Sequence, residues 1–416
     1  MYFLYSLLYG CVLVLAAPYF LYRSLREPGF WTSVKERVTG AAVNPEGERS
    51  LWIHAVSVGE VIAAGILVPR LREAFPATRI ALSVTTPTGR KVAAEKLSSV
   101  DDLFYCPFDL SFIVRKMMTR VEPRALVVIE TEIWPILLRE ARRAGASTVL
   151  VNGRISDRSF PGYLRVRPFL KVYLREVDRF LMQSETYARR IEELGAEPSK
   201  VRVSGSLKFD ASPDGAARPA GRVTPAGRRI LVAGSTLDPE EGILLSVYER
   251  LRRDAPNLFL VLAPRHVARF DAVSEIAASR GLRVARRSRG EEASGADVLL
   301  LDTLGELASV YAEADYAFVG GSLASWGGHN IIEPASWGKP VLFGPHMQNF
   351  ADVAKVFLDA GAALQVKDEA DLESALRELL ASPQRCEDLS RKARAVVAAN
   401  RGAVERTIAA LKEIAG

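Results

Sequence analysis

Short apolar runs alternate with segments of helical spacing through most of this 416-residue chain. Continuous apolar strands between helices are typical of a parallel sheet that is covered on both faces. In the first half, the predicted strands are Leu51–Val56, Ile80–Val84, Ala125–Ile129, Thr148–Val151 and Arg179–Met182, and the predicted helices are Val61–Ala74, Leu110–Arg120 and Trp134–Ala144. This half is therefore predicted to form a Rossmann-like domain.

The alternation stops at residues 209–227, which are rich in Pro, Gly and Ala and are predicted to be a linker. A second series follows, with predicted strands at Ile230–Ala233, Leu258–Leu262, Val298–Leu301, Tyr316–Val319 and Val341–Phe343, and a helical tail from about Glu387 to Ile414. The predicted fold class is α/β, with two Rossmann-like domains, 23–208 and 228–416, facing across a cleft. The prediction leaves open whether the C-terminal helix packs back on the first domain. In such sheets, ligands bind at the carboxyl ends of the strands.

Residues 1–22 differ from the rest of the chain. From Phe3 to Tyr22 there is no charged residue, and this length is enough to cross roughly 30 Å of hydrocarbon. Arg23, Arg26 and Lys35 follow directly, which places the rest of the chain on the cytoplasmic side. The segment is predicted to be a single-pass transmembrane anchor. A cleaved signal peptide lacks support because no basic stretch precedes the apolar run, and a monotopic or buried helix remains the other alternative.

Composition excludes several classes of protein. Cysteine occurs three times without a CxxC spacing, which argues against a disulfide framework or a cysteine-rich zinc site. The four histidines, His54, His266, His329 and His346, are all predicted to lie in loops, and they form no HxH or HExxH pattern, so no metal site is predicted. The net charge of +6 suggests an anionic partner, but the basic residues are spread along the chain without a nucleic-acid-binding signature.

Three glutamates of the first domain are candidates for catalysis. Glu60, in WIHAVSVGE, is predicted to lie in the first turn of a helix, where the helix dipole favours its ionised form. An ionised carboxylate at such a corner is suited to act as a general base, although it could equally serve only as a partner of the dipole. Glu130 and Glu132, in IETEIWP, end a strand and either take part in the reaction or cap the helix after Trp134.

In the second domain, three loops are suited to bind phosphate. VAGST at Val232–Thr236 ends a strand with small residues, and APRH presents Arg265, a forked donor. The run VGGSLASWGGHNIIEP, 319–334, is predicted to be a Gly-rich strand-to-helix turn that starts a helix near Asn330. Glu333, one turn along that helix, is placed to accept hydrogen bonds from a ribose diol.

The motifs HAVSVGE, IETEIWP, SLKFD, APRH, LGE, GGHNIIEP and GPHMQNF occur in this order from His54 to Phe350. Together they resemble the 3-deoxy-D-manno-octulosonic acid (Kdo) transferases of lipopolysaccharide synthesis, which are inverting glycosyltransferases of the GT-B fold. The resemblance implies that Glu60 is the general base and that Glu130 and Lys208 stabilise the transition state. It also implies that the nucleotide CMP is held by Arg265, His266, Leu304, Gly305, Glu306, Asn330, Ile331, Ile332 and Glu333.

The resemblance further implies CMP-Kdo as donor, a lipid A precursor as acceptor, and no cofactor or metal. It places the enzyme at the inner membrane in contact with phospholipid. The basic and aromatic segment Arg154–Arg175 is either an interfacial segment facing anionic lipid or an ordinary amphipathic helix. The alternatives left open are another GT-B transferase that uses a nucleotide sugar and a membrane acceptor, a UDP-sugar epimerase, and a binding protein on the same scaffold.

Overall fold

The computed structural model describes residues 1–26, 29–40, 42–43, 49–211 and 221–415. The chain divides into two compact units. The first comprises Met1–Ala211 and Arg401–Gly416, and the second comprises Ser212–Asn400. The division after Ala211 lies close to the predicted domain boundary, but the last residues of the chain belong to the first unit. Residues 212–220 of the predicted linker lie outside the described residues.

The first unit contains, among its described residues, a seven-stranded sheet in which all neighbouring strands are parallel. Its strands are β1 (Ser50–Ala55), β2 (Ile80–Val84), β3 (Asp102–Tyr105), β4 (Pro123–Ile129), β5 (Ser147–Gly153), β6 (Arg179–Met182) and β7 (Val201–Val203). The order across the sheet is β3-β2-β1-β4-β5-β6-β7. Because every residue of β1 and β2 is buried, these strands are covered on both faces, as their continuous apolar sequences predict.

Helices precede, follow and connect these strands. They are α1 (Tyr2–Leu15), α2 (Ala17–Arg26), α3 (Phe30–Thr39), α4 (Val58–Ala74), α5 (Pro87–Lys96), α6 (Ser111–Val121), α7 (Pro135–Arg143), α8 (Phe160–Arg165), α9 (Arg167–Tyr173) and α10 (Glu185–Glu193). Hydroxyl caps fix several of the starts: Ser57 begins α4, Thr86 begins α5 and Ser184 begins α10. The turns that follow the strands therefore have defined geometry at the edge where ligands bind.

The predicted anchor forms two helices rather than one. Helices α1 and α2 meet at 46°, and within the part of the chain that the structure describes no single helix is long and apolar enough to cross a membrane, whereas this bent pair meets the criterion by length and composition. The single anchor helix is therefore not confirmed. One face of α1 packs on the unit, with the Tyr2 hydroxyl 2.5 Å from a carboxylate oxygen of Glu176 and its ring 5.3 Å from that of Tyr173. Phe3 and Leu8 on α1 are exposed.

The second unit repeats the architecture with a parallel sheet, described here over residues 221–400. Its strands are β8 (Arg229–Thr236), β9 (Leu258–Pro264), β10 (Val284–Arg286), β11 (Val298–Leu300), β12 (Tyr316–Val319), β13 (Val341–Phe343) and β14 (Leu364–Gln365), in the order β10-β11-β9-β8-β12-β13-β14. Its helices are α11 (Glu240–Asp254), α12 (Phe270–Ser279), α13 (Leu307–Val310), α14 (Ile332–Ser336), α15 (Ala351–Asp359), α16 (Glu369–Ala381) and α17 (Pro383–Asn400).

The helical tail is broken where the sequence pattern predicts one continuous helix. Helix α17 ends at Asn400, Gly402 adopts a φ of 89°, and α18 (Ala403–Ala415) begins after it. A positive φ is accessible to glycine at little cost, so the chain can turn sharply here. The break assigns α17 to the second unit and α18 to the first, where α18 packs against α4 and β5.

Candidate active site

The carboxyl ends of the first sheet bring the predicted catalytic residues to one edge. Glu60 follows β1, Glu130 follows β4 and Lys208 follows β7. Arg154, which follows β5, lies 3.3 Å from a carboxylate oxygen of Glu130. Because parallel strands end at the same edge of a sheet, residues that are up to 148 positions apart in the chain lie along one edge.

Glu60 is held in a capping box at the start of α4. Its carboxylate accepts from the Val56 N–H at 2.7 Å and from the Ser57 hydroxyl at 2.8 Å, while the Ser57 hydroxyl accepts from the Glu60 N–H. Only 5% of the residue is exposed. Burial raises the pKa of Glu60, the negative charge of Glu130 adds to this, and the hydrogen bonds from Val56 and Ser57 oppose it. The carboxylate is thus fixed in place and made more basic than an exposed glutamate.

Glu130 and Glu132 lie in the loop between β4 and α7. Glu130 adopts a φ of 60°, which turns the chain out of the strand as Pro135 predicts. Glu132 accepts a hydrogen bond from the Trp134 indole N–H at 3.1 Å. Burial, together with the negative charges of Glu60 and Glu130, raises the pKa of Glu132 to about 7. The charge of Glu130 therefore acts on both Glu60 and Glu132, and the charge of Glu60 acts on Glu132.

Neither glutamate caps α7, so that alternative interpretation is wrong. The first amides of the helix donate to Asp109, from Ile136 at 3.1 Å and from Leu137 at 2.7 Å. Asp109 is 1% exposed, and burial raises its pKa to about 6, against the lowering effect of these hydrogen bonds. Asp109, and neither Glu130 nor Glu132, therefore accepts from the first amides of α7.

Lys208 lies in a 3₁₀ turn, Leu207–Asp210, that packs against α4, the helix that carries Glu60. The turn is fixed at both ends. The Leu207 N–H donates to the Asn152 side chain at 3.1 Å, and Asp210 accepts from the N–H groups of Gly402 at 2.8 Å and Val404 at 2.7 Å. Lys208 is half-buried, so it is not the solvated surface lysine that its local sequence alone would indicate.

His54 lies in strand β1. This agrees with the predicted strand Leu51–Val56 and corrects the prediction that all four histidines lie in loops. Its Nδ1 is 2.9 Å from the Ser83 hydroxyl, and its ring meets the Trp134 ring edge-on at 6.1 Å. Burial and the positive charge of Arg37 lower the pKa of His54 to about 4, so its imidazole is neutral at physiological pH. His54 is a packing partner of Trp134, the residue that donates to Glu132.

In the second unit, the predicted nucleotide-binding residues gather at the ends of β8, β9, β11 and β12. Arg265 and His266 follow β9 with exposed side chains. Burial lowers the pKa of His329 to about 4. The positive charges of Arg265 and His266 lower this pKa further, so the three side chains lie close together. A Cβ at Gly321 would come within 2.9 Å of the His329 ring, so only glycine leaves room for this histidine.

The Gly-rich turn after β12 is already occupied by a carboxylate of the protein. Glu240, at the start of α11, is fully buried, and it accepts from the N–H groups of Leu237, Gly321, Ser322, Leu323 and Ala324 at 2.7–3.4 Å. The prediction that a phosphate binds along the whole turn from Gly321 to Asn330 is therefore wrong for its first part. These amides are satisfied, and any phosphate must use Arg265 and the later part of the turn.

That later part is organised by Asn330. Its carbonyl oxygen accepts from the Ile332 N–H at 3.1 Å, and its amide nitrogen donates to Glu333 at 3.1 Å. Ile331 and Ile332 are fully buried, so they present only backbone to a ligand. Burial raises the pKa of Glu333, whereas the bond from Asn330 and the charge of Arg265 lower it. Helix α14 begins at Ile332, two residues later than Asn330.

The loop after β11 carries Leu304, Gly305 and Glu306. The Leu304 side chain is 76% exposed, and Gly305 adopts a φ of 88°. Glu306 accepts from Arg287 at 2.8 and 3.2 Å, and this pairing lowers the pKa of its carboxyl group. Arg287 thus holds the loop that is predicted to contact the nucleotide.

Comparison with known proteins decides the family. Residues 32–211 match the family model described as 3-deoxy-D-manno-octulosonic-acid transferase (kdotransferase). A 3-deoxy-D-manno-octulosonic acid transferase of Bordetella pertussis is 38% identical, across 88% of this chain and 87% of that protein. The chain belongs to this family. A Kdo transferase of Haemophilus influenzae is 32% identical across 94% of this chain and 93% of its own length.

Solved structures confirm the fold of this Kdo transferase. A UDP-GlcNAc 2-epimerase from Neisseria meningitidis matches with a TM-score of 0.59 and 12% identity, across 88% of this chain and all of that one. A glycosyltransferase from Rickettsia africae matches with a TM-score of 0.54 and 11% identity. At these identities the likeness concerns the fold alone, which is the GT-B arrangement of two Rossmann-like units.

Three residues of the site were missed from the sequence. They are Asp109, Trp134 and Glu240. Asp109 and Glu240 act on segments far from them in the chain, which their local sequence does not signal, whereas Trp134 bonds Glu132 two residues before it. Among the residues that the structure describes, no group of three or more His, Cys, Asp and Glu side chains is arranged to hold a metal ion. The carboxylates of Glu60, Glu130 and Glu132 are instead engaged by protein donors and by Arg154.

Proposed function

We propose that this Kdo transferase moves Kdo from CMP-Kdo to a hydroxyl of a lipid A precursor of the lipid IVA type, with inversion and with Glu60 as the general base. The observation that carries the proposal is the Glu60 carboxylate. It is buried, fixed by Val56 and Ser57, and raised in pKa at the end of a sheet where ligands bind. A base tuned in this way contributes about 10²–10⁴-fold to the rate.

The proposed reaction is a single displacement. The acceptor oxygen forms a bond to the anomeric carbon of Kdo as Glu60 takes its proton. The bond from that carbon to the phosphate oxygen breaks, and the electron pair leaves with CMP. Negative charge therefore develops on the phosphate, where a preorganised cation such as Lys208 stabilises the transition state. Glu130, paired with Arg154, is assigned to the same stabilisation through its effect on the local charge.

We assign the donor nucleotide to the second unit. Arg265 and His266 supply exposed donors for the phosphate, and Glu333 supplies an acceptor for the ribose diol. Leu304, Gly305 and Glu306 form a loop held by Arg287, and Asn330, Ile331 and Ile332 form the backbone before α14. This assignment leaves the phosphate outside the amides that Glu240 occupies.

The proposal places the enzyme at the cytoplasmic face of the inner membrane. The apolar faces of α1 and α2 support this location, as does the segment around α8 and α9, where exposed Val166 and Phe169 lie among arginines. Amphipathic surfaces rich in Arg and aromatic residues bind anionic phospholipid. Phospholipid is thus the proposed environment of the acceptor.

Mass spectrometry of a tetraacylated lipid A precursor tests the proposal. The detergent-purified protein is incubated with the lipid and CMP-Kdo, with a known Kdo transferase in parallel. We expect product heavier by one or more Kdo units. Unchanged lipid alongside an active reference enzyme would refute the donor and acceptor assignment. Turnover of a UDP-sugar without lipid would indicate an epimerase, and transfer from another nucleotide sugar would indicate a different GT-B transferase.

A further inference from the structure

The N-terminal helices enclose an apolar cavity in the first unit. Its volume is about 780 Å³, within the range of roughly 300–1,000 Å³ that is typical of small-molecule sites. Helices α1 to α3 form one wall, through residues such as Leu13, Phe20 and Phe30. The loops after β2 and β3 form the other wall, through residues such as Tyr105 and Phe108. We call this cavity the α1–α3 pocket.

The α1–α3 pocket reaches the loop that carries the catalytic carboxylates. Trp134 lines the pocket, and its indole N–H donates to Glu132 at 3.1 Å. Glu132 in turn interacts with the charge of Glu60. A ligand in the pocket therefore touches the same tryptophan that positions one of the three acids.

One cation lies in this otherwise apolar lining. The Arg37 guanidinium donates to the carbonyl oxygens of Cys106 at 2.8 Å and Thr85 at 2.5 Å, and it lies over the rings of Tyr105 and Phe108 at 4.8 and 5.7 Å from their centroids. In the described part of the chain, no carboxylate lies within ion-pair distance of Arg37. A guanidinium has five N–H donors, so Arg37 retains donors beyond these two bonds.

A half-buried cation without an ion-pair partner favours a ligand that brings polar or negative oxygens. The neighbouring Glu36 does not supply them, because both of its carboxylate oxygens accept from Arg90, at 2.5 and 2.6 Å. The pocket thus combines a long apolar lining with one polar donor near the reaction site. An acyl chain with its ester, amide or phosphate group at the head matches this combination.

We propose that the α1–α3 pocket holds one acyl chain of the lipid acceptor, with Arg37 bonded to the polar linkage at the head of that chain. The inference rests on the proposed function, since it deepens the identity of the acceptor. Bound in this way, the chain positions the acceptor hydroxyl beside Glu60. Each buried methylene contributes about fourfold in affinity, so shortening the chain by two carbons is expected to weaken binding about 15-fold.

Photo-crosslinking tests occupancy independently of turnover. A tetraacylated acceptor that carries a diazirine next to the carbonyl head of its acyl chains is added to the full-length protein in phospholipid nanodiscs, and a phosphatidylethanolamine with a diazirine at the same chain position is used in a separate arm. We expect the acceptor to label Tyr105 and Phe108, and the phospholipid to label only the exposed face of α1 at Phe3, Leu7 and Leu8. Acceptor label confined to that face, or equal pocket labelling by the phospholipid, would overturn the proposal.

A pocket-filling variant tests the effect on catalysis. Ser33 lines the pocket, whereas the adjacent Thr32 is exposed and lies outside it. Ser33→Trp is expected to raise KM for the tetraacylated acceptor at least tenfold and to leave KM for CMP-Kdo and the CMP-induced rise in Tm unchanged. Thr32→Trp is the matched control and should behave as wild type. Equal KM values in Ser33→Trp and wild type, or the same rise in both variants, would contradict the proposal.

The two tests also separate this inference from the proposed function. Pocket labelling by the acceptor without Kdo transfer would show that the lipid binds but that the reaction is assigned wrongly. Transfer of Kdo with no label in the pocket would leave the proposed function standing and overturn the acyl-chain site.

Discussion

Replacing Glu240 by Gln is predicted to loosen the Gly-rich turn of the nucleotide-binding unit. One carboxylate oxygen accepts from Leu237 at 3.0 Å and Gly321 at 2.7 Å. The other accepts from Ser322 at 2.9 Å, Leu323 at 2.9 Å and Ala324 at 3.4 Å. A glutamine keeps one acceptor oxygen and puts an NH₂ group, which only donates, at the other position.

The magnitude follows from counting the donors left without an acceptor. If the glutamine oxygen accepts from Ser322, Leu323 and Ala324, the glutamine NH₂ group faces the N–H groups of Leu237 and Gly321. These two N–H groups are then left without an acceptor. Each buried N–H without a partner costs about 1–3 kcal/mol, so the local loss is about 2–6 kcal/mol. This corresponds to roughly 30-fold to more than 10⁴-fold faster amide exchange, since 1.4 kcal/mol is tenfold.

Hydrogen–deuterium exchange followed by mass spectrometry measures this loss in a peptide that covers residues 320–330. The matched control is Glu241→Gln, because Glu241 is equally buried but accepts from a single side chain, Arg269 at 3.2 Å. The control should change exchange of this peptide by less than about tenfold. Wild-type protection of residues 320–330 in Glu240→Gln would refute the argument that this carboxylate holds the turn.

Three further predictions concern the two halves of the site. Kdo transfer should fall at acid pH, because protonation of Glu60, whose pKa is raised by burial, removes the base. Glu130→Gln should move this fall to lower pH, because it removes a negative charge that raises the pKa of Glu60, and a kcat/KM profile that does not shift would contradict this interaction. Lys208→Met should lower kcat by about 10²–10³-fold with little change in Kd for CMP, because it removes the cation that stabilises the transition state. Lys208→Arg should recover part of the loss. Equal kcat in the wild type and both variants would exclude this role of Lys208. Arg287→Gln should weaken CMP binding about tenfold in calorimetry, because the loop of Glu306 loses its partner; unchanged affinity would count against that loop.

Apolar runs in the sequence were sufficient to predict the interior of both sheets, but not their edges. The strands that were missed are β3, β7, β10 and β14, and each is an edge strand. Strand β14 has two residues, and β7 and β10 have three each with an arginine among them. An edge strand is covered less completely, so it needs no continuous apolar run and leaves a weak signal.

The positions of the candidate residues at the strand ends could be predicted from the sequence, but the contacts that organise them could not. Glu60 was predicted in the first turn of a helix, and the structure places it there, in a capping box with Ser57. By contrast, Asp109 caps a helix 27 residues away, and Glu240 binds amides from 81 residues away. Such long-range partners depend on the fold, and no local spacing reveals them. For the same reason the sequence predicts phosphate at the Gly-rich turn, whereas its first amides bind the Glu240 carboxylate.

The measurement that tests the central claim most directly is Kdo transfer by Glu60→Gln under single-turnover conditions, with CMP affinity measured on the same protein. Glutamine also fits the third position of a capping box, so the start of α4 is preserved. Glu73→Gln, an exposed position on the same helix, serves as the control. The account predicts a loss of about 10²–10⁴-fold in transfer, with CMP affinity unchanged and the control fully active. Substantial turnover by Glu60→Gln would remove Glu60 from the role of general base.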